Sequence, residues 1–298
     1  MDIIVSIIRG ILEQGLIYGI MALGIYITYC ILNFPDLSVD GTFPLGAAVT
    51  AILLSLGFNP WLALVAAFGC GAIAGFVTGF FHVKLQITDL LSGILTSTAL
   101  YSVNLMIVGG TALLSINKAK TIFNSGLAAF FPESMSRYIT LVIIFILAIV
   151  LKLLLDLYLK TRSGMLLRAT GDNEVMVTSL AKDSGKVKIV GLMIANGLVA
   201  VAGSVLCQQQ RYFEISMGTG MLVMGIASVI IGMALFGKIP VIKPTLVVIF
   251  GAIVYKACLS LAINMGINPN NLKLLMTIIF LIALISRRAM DGKGGSVK

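Results

Sequence analysis

Long apolar runs dominate this chain, and short polar breaks separate them. A helix needs about 20 apolar residues to cross a hydrocarbon core roughly 30 Å thick. Nine stretches approach that length: 15–33, 42–58, 61–81, 88–108, 138–158, 188–208, 217–236, 243–264 and 271–287. In residues 1–14, Asp2, Arg9 and Glu13 interrupt the apolar positions, which predicts an interfacial helix lying on the membrane. No stretch alternates like a barrel strand, and no soluble domain stands apart. The pattern predicts one all-α polytopic membrane domain over 1–298, with about nine transmembrane helices.

A weak repeat runs through these spans. A shift of 178 residues lays Gly19 on Gly197, Ala22 on Ala200, Asp36 on Glu214 and Ser38 on Ser216. Each copy reads apolar helix, acidic break, apolar helix. An odd number of spans separates the copies, so they are expected in opposite orientations, as in transporters built from inverted repeats. The predicted order is an interfacial helix (1–14), a first repeat (15–108), an external loop (109–137) and a linking helix (138–158). A cytoplasmic loop (160–188), a second repeat (188–287) and a cytoplasmic tail (288–298) follow. The two repeats are read as opposed four-helix units joined by one helix.

Basic residues set the orientation. With the C-terminus inside, thirteen Lys and Arg fall on cytoplasmic segments and six fall outside, so the N-terminus is expected outside and the C-terminus inside. Six of the thirteen lie between Lys160 and Lys188. Within that loop, Asp172-Asn173-Glu174 reads as a helix start, and Val175, Met176, Val177 and Leu180 give a short helix an apolar face. Such a helix suits presentation to a soluble partner, or packing against its own protein.

Composition narrows the function classes. Hydrophobic residues make up 59% of the chain and charged residues 11%, against about a quarter charged in soluble proteins. The net charge of +9 follows from cytoplasmic loops and gives no reason to expect nucleic acid binding. Cys30, Cys70, Cys207 and Cys258 have no metal-ligand spacing, and neither metal nor cofactor is expected. No GxxxxGK[ST] loop is present, so the chain is not expected to bind ATP or to act as an enzyme itself.

Polar residues inside the spans are the candidate pathway. Asp36, Ser38 and Asp40 sit where one apolar run breaks; they line a pathway or form a polar turn. Glu214 and Ser216 are their repeat counterparts. Asn104 and Asn196 contact solute or bond across helices. Lys256 either serves a pathway or snorkels to the interface. Lys152 and Asp156 are spaced as an i,i+4 pair. Gly69, Gly71, Gly75, Gly225 and Gly232 predict close helix contacts.

The segment Gly164-x3-Arg168-Ala169-x-Gly171-Asp172-Asn173-Glu174, leading to Gly185 and an apolar helix, resembles permease subunits of ATP-binding-cassette importers. Asn33-Phe34 with Asp36-Leu37-Ser38-Val39-Asp40-Gly41, and Gly218-x-Gly220 with Ile226 to Gly232, resemble the branched-chain amino acid and ribose permease family more narrowly. The resemblance covers residues 12–288. RATGDNE followed by NGLVAVAG is most similar to a branch associated with tryptophan and tyrosine uptake. The resemblance implies a bacterial cytoplasmic-membrane permease that works with cytoplasmic ATPases, an extracytoplasmic binding protein and a second permease copy. Arg168, Asp172, Asn173, Glu174, Val175, Met176 and Leu180 would then couple to the ATPase. A stand-alone secondary transporter or channel, using intramembrane charges, and a non-transporting scaffold are the alternatives.

Overall fold

The computed structural model describes residues 2–124, 136–179, 183–237, 239, 242–265, 274, 277–282 and 285. Among the described residues, seven helices are long and apolar enough to cross a membrane. The chain is a mostly helical, multi-pass membrane protein.

Helix α1 (Asp2–Ile25) continues into a π-helical segment at Tyr26–Ile31. The expected separate helix over 1–14 is therefore not observed: the backbone runs from Asp2 without a break, and Ile4–Ile31 forms one candidate span. Arg9 lies one turn from Glu13, at 3.4 Å, and Gln209 donates to the same carboxylate at 2.9 Å. These bonds hold the polar residues that made this segment look interfacial.

Four helices follow: α2 (Val39–Ser55), α3 (Pro60–Val83), α4 (Asp89–Ile107) and α5 (Ser136–Tyr158). Asn59 caps α3 through Trp61 N–H, and Pro60 occupies its first turn. Two short helices, α6 (Arg162–Asp172) and α7 (Glu174–Ser179), lead to α8 (Ser184–Gln210), then α9 (Met221–Phe236) and α10 (Pro244–Asn264). Strand β1 (Leu113–Ser115) pairs antiparallel with β2 (Tyr212–Glu214), Leu114 facing Phe213. The pairing ties part of the expected external loop to the end of α8; residues 125–135 of that loop lie outside the described residues. Of the nine expected spans, 42–58 corresponds to a 17-residue helix that is not among the seven, and most of 271–287 lies outside the described residues.

Helices α1 and α8 form the centre. They are the most buried of the candidate spans, at 83% and 78% of their apolar windows. Lipid is as apolar as leucine, so close approach and polar bonds hold such helices together more than apolar burial does. Gly71 and Gly75 show this on α3. A Cβ at either would strike an α8 carbonyl, of Asn196 or of Leu192. Gly69, by contrast, faces open space, so its expected close contact is not observed. At the far end of the bundle, Asp156 accepts from Lys152 (2.8 Å), Lys243 (3.2 Å) and Thr245 (2.7 Å). The expected i,i+4 pair is thus part of a clamp joining α5 to the start of α10.

Candidate functional site

The two helix–break–helix units run antiparallel. The α1 unit ends beside the loop of α6 and α7, where the Asn33 amide donates to Gly171 O at 3.1 Å. Helix α8 starts beside that loop, where Lys188 Nζ meets Glu174 Oε2 at 2.7 Å. Breaks at 32–38 and 211–220 then start two new helices. Helix α2 has 17 residues and α9 has 16, so each rises about 25 Å, short of a hydrocarbon core roughly 30 Å thick. Helix α2 leaves toward the β1 side, and α9 leaves toward Lys243 and Asp156. Their N-termini meet between the two faces.

Asp40 makes that junction. Its Oδ1 accepts from Leu222 N at 2.9 Å and its Oδ2 from Gly220 N at 3.1 Å. A carboxylate on α2 therefore caps the electropositive start of α9, satisfying donors that otherwise lack partners inside a membrane. Gly218 permits the approach: a Cβ there would strike the Asp40 carbonyl and the Pro44 ring.

Four residues earlier lies a second polar cluster. Asp36 is 0% exposed. Its Oδ1 accepts from Ser38 N (2.9 Å) and its Oδ2 from Asn196 Nδ2 (2.7 Å), while Ser38 Oγ donates to Asn196 Oδ1 (3.1 Å). This closed triad ties the break to α8 and leaves no oxygen of the carboxylate unpaired.

The residues expected to line a pathway thus fall into two groups. Asp36, Ser38 and Asn196 form the buried triad. Asp40, Asn104 and Ser216 are brought together on a cleft of about 440 Å³ between α2, α4 and the 215–219 segment. Asn104 donates its amide to Gly41 O at 3.1 Å, while its Oδ1 has no hydrogen-bond partner. Ser97, Thr98 and Tyr101 complete the polar side of the cleft; sequence spacing gave no sign of Ser97 or Thr98. Glu214 lies beside the cleft, on β2, and accepts from Ser216 Oγ. A larger cleft of about 880 Å³ lies at the helix ends, between the α2–α3 turn and residues 115–120, away from the junction. Lys256 is on neither cleft; its Nζ sits 5.1 Å from the Tyr18 ring centroid.

The helix start expected at Asp172-Asn173-Glu174 is observed, and it divides the expected coupling segment between α6 and α7. Thr170, Gly171 and Asp172 end α6, Asn173 has an extended backbone, and α7 starts at Glu174. Asn173 O accepts from Val177 N at 3.4 Å, so Asn173 holds the N-cap position and Asp172 does not. Arg168 and Asp172 are exposed, Val175 is 76% exposed and Val177 is buried. Leu180 and the Met176 side chain lie outside the described residues. Glu174 also accepts from Ser184 Oγ at 3.0 Å. The hydrogen bond from Lys188 holds the Glu174 carboxyl below its ordinary range, against a smaller upward pull from burial.

Comparisons with known proteins agree with this architecture. The family described as branched-chain amino acid transport system, permease component, matches residues 7–285. A tyrosine transport system permease protein of Clostridioides difficile is 42% identical over 277 residues, covering 93% of this chain and 90% of the relative. An autoinducer 2 import system permease of Salmonella typhimurium is 24% identical over 228 residues, covering 76% of this chain and 63% of the relative. The structure of PsaBC from Streptococcus pneumoniae in complex with Fab has a similar fold, with a TM-score of 0.54 at 15% identity, covering 95% of this chain and 94% of that chain.

Proposed function

The chain belongs to the family of branched-chain amino acid transport system permease components, and from that membership we propose that it is the permease subunit of an ATP-driven importer of a small solute, an aromatic or branched-chain amino acid. The polar cleft at the junction of α2 and α9 carries this reading. Exposed hydroxyls and a part-buried carboxylate at membrane depth are costly against lipid and are tolerated where they line water or protein. Asp40, Asn104 and Ser216 are then pathway residues. The Asp36–Ser38–Asn196 triad is the fixed point about which the α2 break is held, and Glu214 steadies Ser216 at the rim.

The partners follow from the same reading. Helix α7 presents Val175 to a cytoplasmic ATPase in a helix-in-groove contact, flanked by Arg168 and Asp172, with Met176 and Leu180 on the same segment. ATP hydrolysis belongs to that subunit and not to this chain. An extracytoplasmic binding protein delivers the solute to the face bearing β1 and β2. One chain offers one coupling segment, so two copies form the membrane core. The setting is the bacterial cytoplasmic membrane, with the N-terminus out and the C-terminus in. The test is uptake of labelled tyrosine or leucine by cells expressing the whole system. Met176→Asp with Leu180→Asp should remove ATP-driven uptake and leave the amount of folded permease unchanged. Uptake at the wild-type rate in that double variant overturns the coupling assignment.

A further inference from the structure

The lining of the junction cleft is weighted toward acceptors and carries a single charged group, Asp40. Its hydroxyl donors are already used in part: Thr98 Oγ1 donates to Ile94 O, and Ser216 Oγ donates to Glu214. One of the two Asn104 amide N–H groups is held by Gly41 O, and the side-chain oxygen is left without a partner. Asn104 is fully buried, so this lone acceptor is an uncompensated cost unless something that enters the cleft satisfies it. Asp40 adds a carboxylate in which each oxygen takes one backbone N–H and keeps acceptor capacity. Among the described residues no Lys, Arg or His lines the cleft, while the Tyr101 ring, 54% exposed, forms one wall.

From this arrangement we infer that the cleft is a transit site for a primary ammonium group on a small apolar or aromatic body, held by Asp40 and Asn104 with the Tyr101 ring alongside. A carboxylate in the same place would meet the Asp40 carboxylate and the Asn104 acceptor, with only neutral hydroxyls to donate to it. An ammonium offers three donors and no acceptor, which complements this lining. A ring face adds attraction for a cation within about 6 Å. The permease then reads the amino end of its solute. The inference rests on the cleft being part of the water-filled pathway.

Two single-cysteine chains test it, Ser97→Cys and Ser216→Cys, each in a background with Cys30, Cys70, Cys207 and Cys258 replaced by Ala. The two positions lie on different elements, α4 and the 215–219 segment, so one variant that fails to fold leaves the other. Membrane fragments open on both sides are treated with a cationic and an anionic methanethiosulfonate. Rates are normalised to those of a free thiol. The expected result is a preference for the cationic reagent of about 10-fold or more, which Asp40→Asn reduces to within about 2-fold. Tyramine should slow the labelling, whereas 3-(4-hydroxyphenyl)propionate should not. Labelling without charge preference, or equal protection by both ligands, overturns the ammonium site and leaves the pathway standing. Protection by sodium or potassium chloride equal to that by tyramine at matched ionic strength overturns it in favour of an inorganic cation. No labelling of either folded variant overturns the aqueous pathway and the ammonium site together.

Discussion

Replacing Asn196 by Leu isolates the buried triad. The substitution removes the 2.7 Å bond to Asp36 Oδ2 and the acceptor of the 3.1 Å bond from Ser38. It leaves a fully buried carboxylate holding only the Ser38 N–H. Hydrogen bonds to charged groups contribute about 1.5–3 kcal/mol, and a neutral one contributes about 1 kcal/mol. Stranding a buried charge by removing its partner costs roughly 3–5 kcal/mol. At about 2–4 °C per kcal/mol, the detergent-solubilised chain should melt roughly 6–20 °C lower. The control is the double variant Asp36→Leu with Asn196→Leu, which removes both partners. The double variant removes the buried charge but leaves the Ser38 N–H and hydroxyl without partners, so part of the lost stability should return. Fluorescence-detected size-exclusion chromatography after a heating series reads all three proteins. An unchanged melting temperature for Asn196→Leu, or a double variant no better than the single one, refutes the triad as a structural lock.

Other outcomes follow from the same geometry. Asp40→Ala removes the cap of α9 and should cost about 0.5–2 kcal/mol, while Asp40→Asn keeps an acceptor and should cost less; melting temperatures compare the two. Gly218→Ala pushes a methyl group into the Asp40 carbonyl and the Pro44 ring, so it should lower the yield of folded protein and move the reactivity of Ser216→Cys. The Glu174–Lys188 bond has a defined pH window. The Glu174 pKa lies below its ordinary 4.5, so its contribution is complete above 4.5 and is lost as pH falls through the lower folded-state value. Protease protection of the 160–188 loop should stay constant from about pH 7 to about pH 5 and decline only below that. Lys188→Met should weaken protection at neutral pH; protection that weakens steadily from neutral pH would contradict this ion pair.

The apolar periodicity made most of the helices legible, because a span must satisfy its own backbone and must be apolar along its length. The same logic misplaced the chain start. Arg9 and Glu13 looked interfacial because their pairing with each other and with Gln209, 196 residues beyond Glu13, cannot be seen locally. The coupling segment was legible as polar and helical. Its helix start was legible too, but the pattern Asp172–Glu174 suits a cap at either of its first two positions, and only the packing selects Asn173. The polar residues of the breaks were found by type, but type could not sort them. Asp36 and Asp40 stand four apart in sequence, yet only the packing of α8 and α9 makes one a closed bond network and the other a cleft wall. Ser97 and Thr98 carried no signal, because hydroxyls in spans commonly bond their own helix, as Thr98 does to Ile94 O.

The proposed function requires this permease to work with a separate ATPase. The most direct measurement is purification of the tagged chain from native membranes in mild detergent, with identification and stoichiometry of whatever accompanies it. The account predicts an ATP-binding-cassette ATPase at close to one copy per permease chain, and its loss from the Met176→Asp with Leu180→Asp variant. A homogeneous oligomer of this chain that transports solute with no ATPase attached would contradict the account.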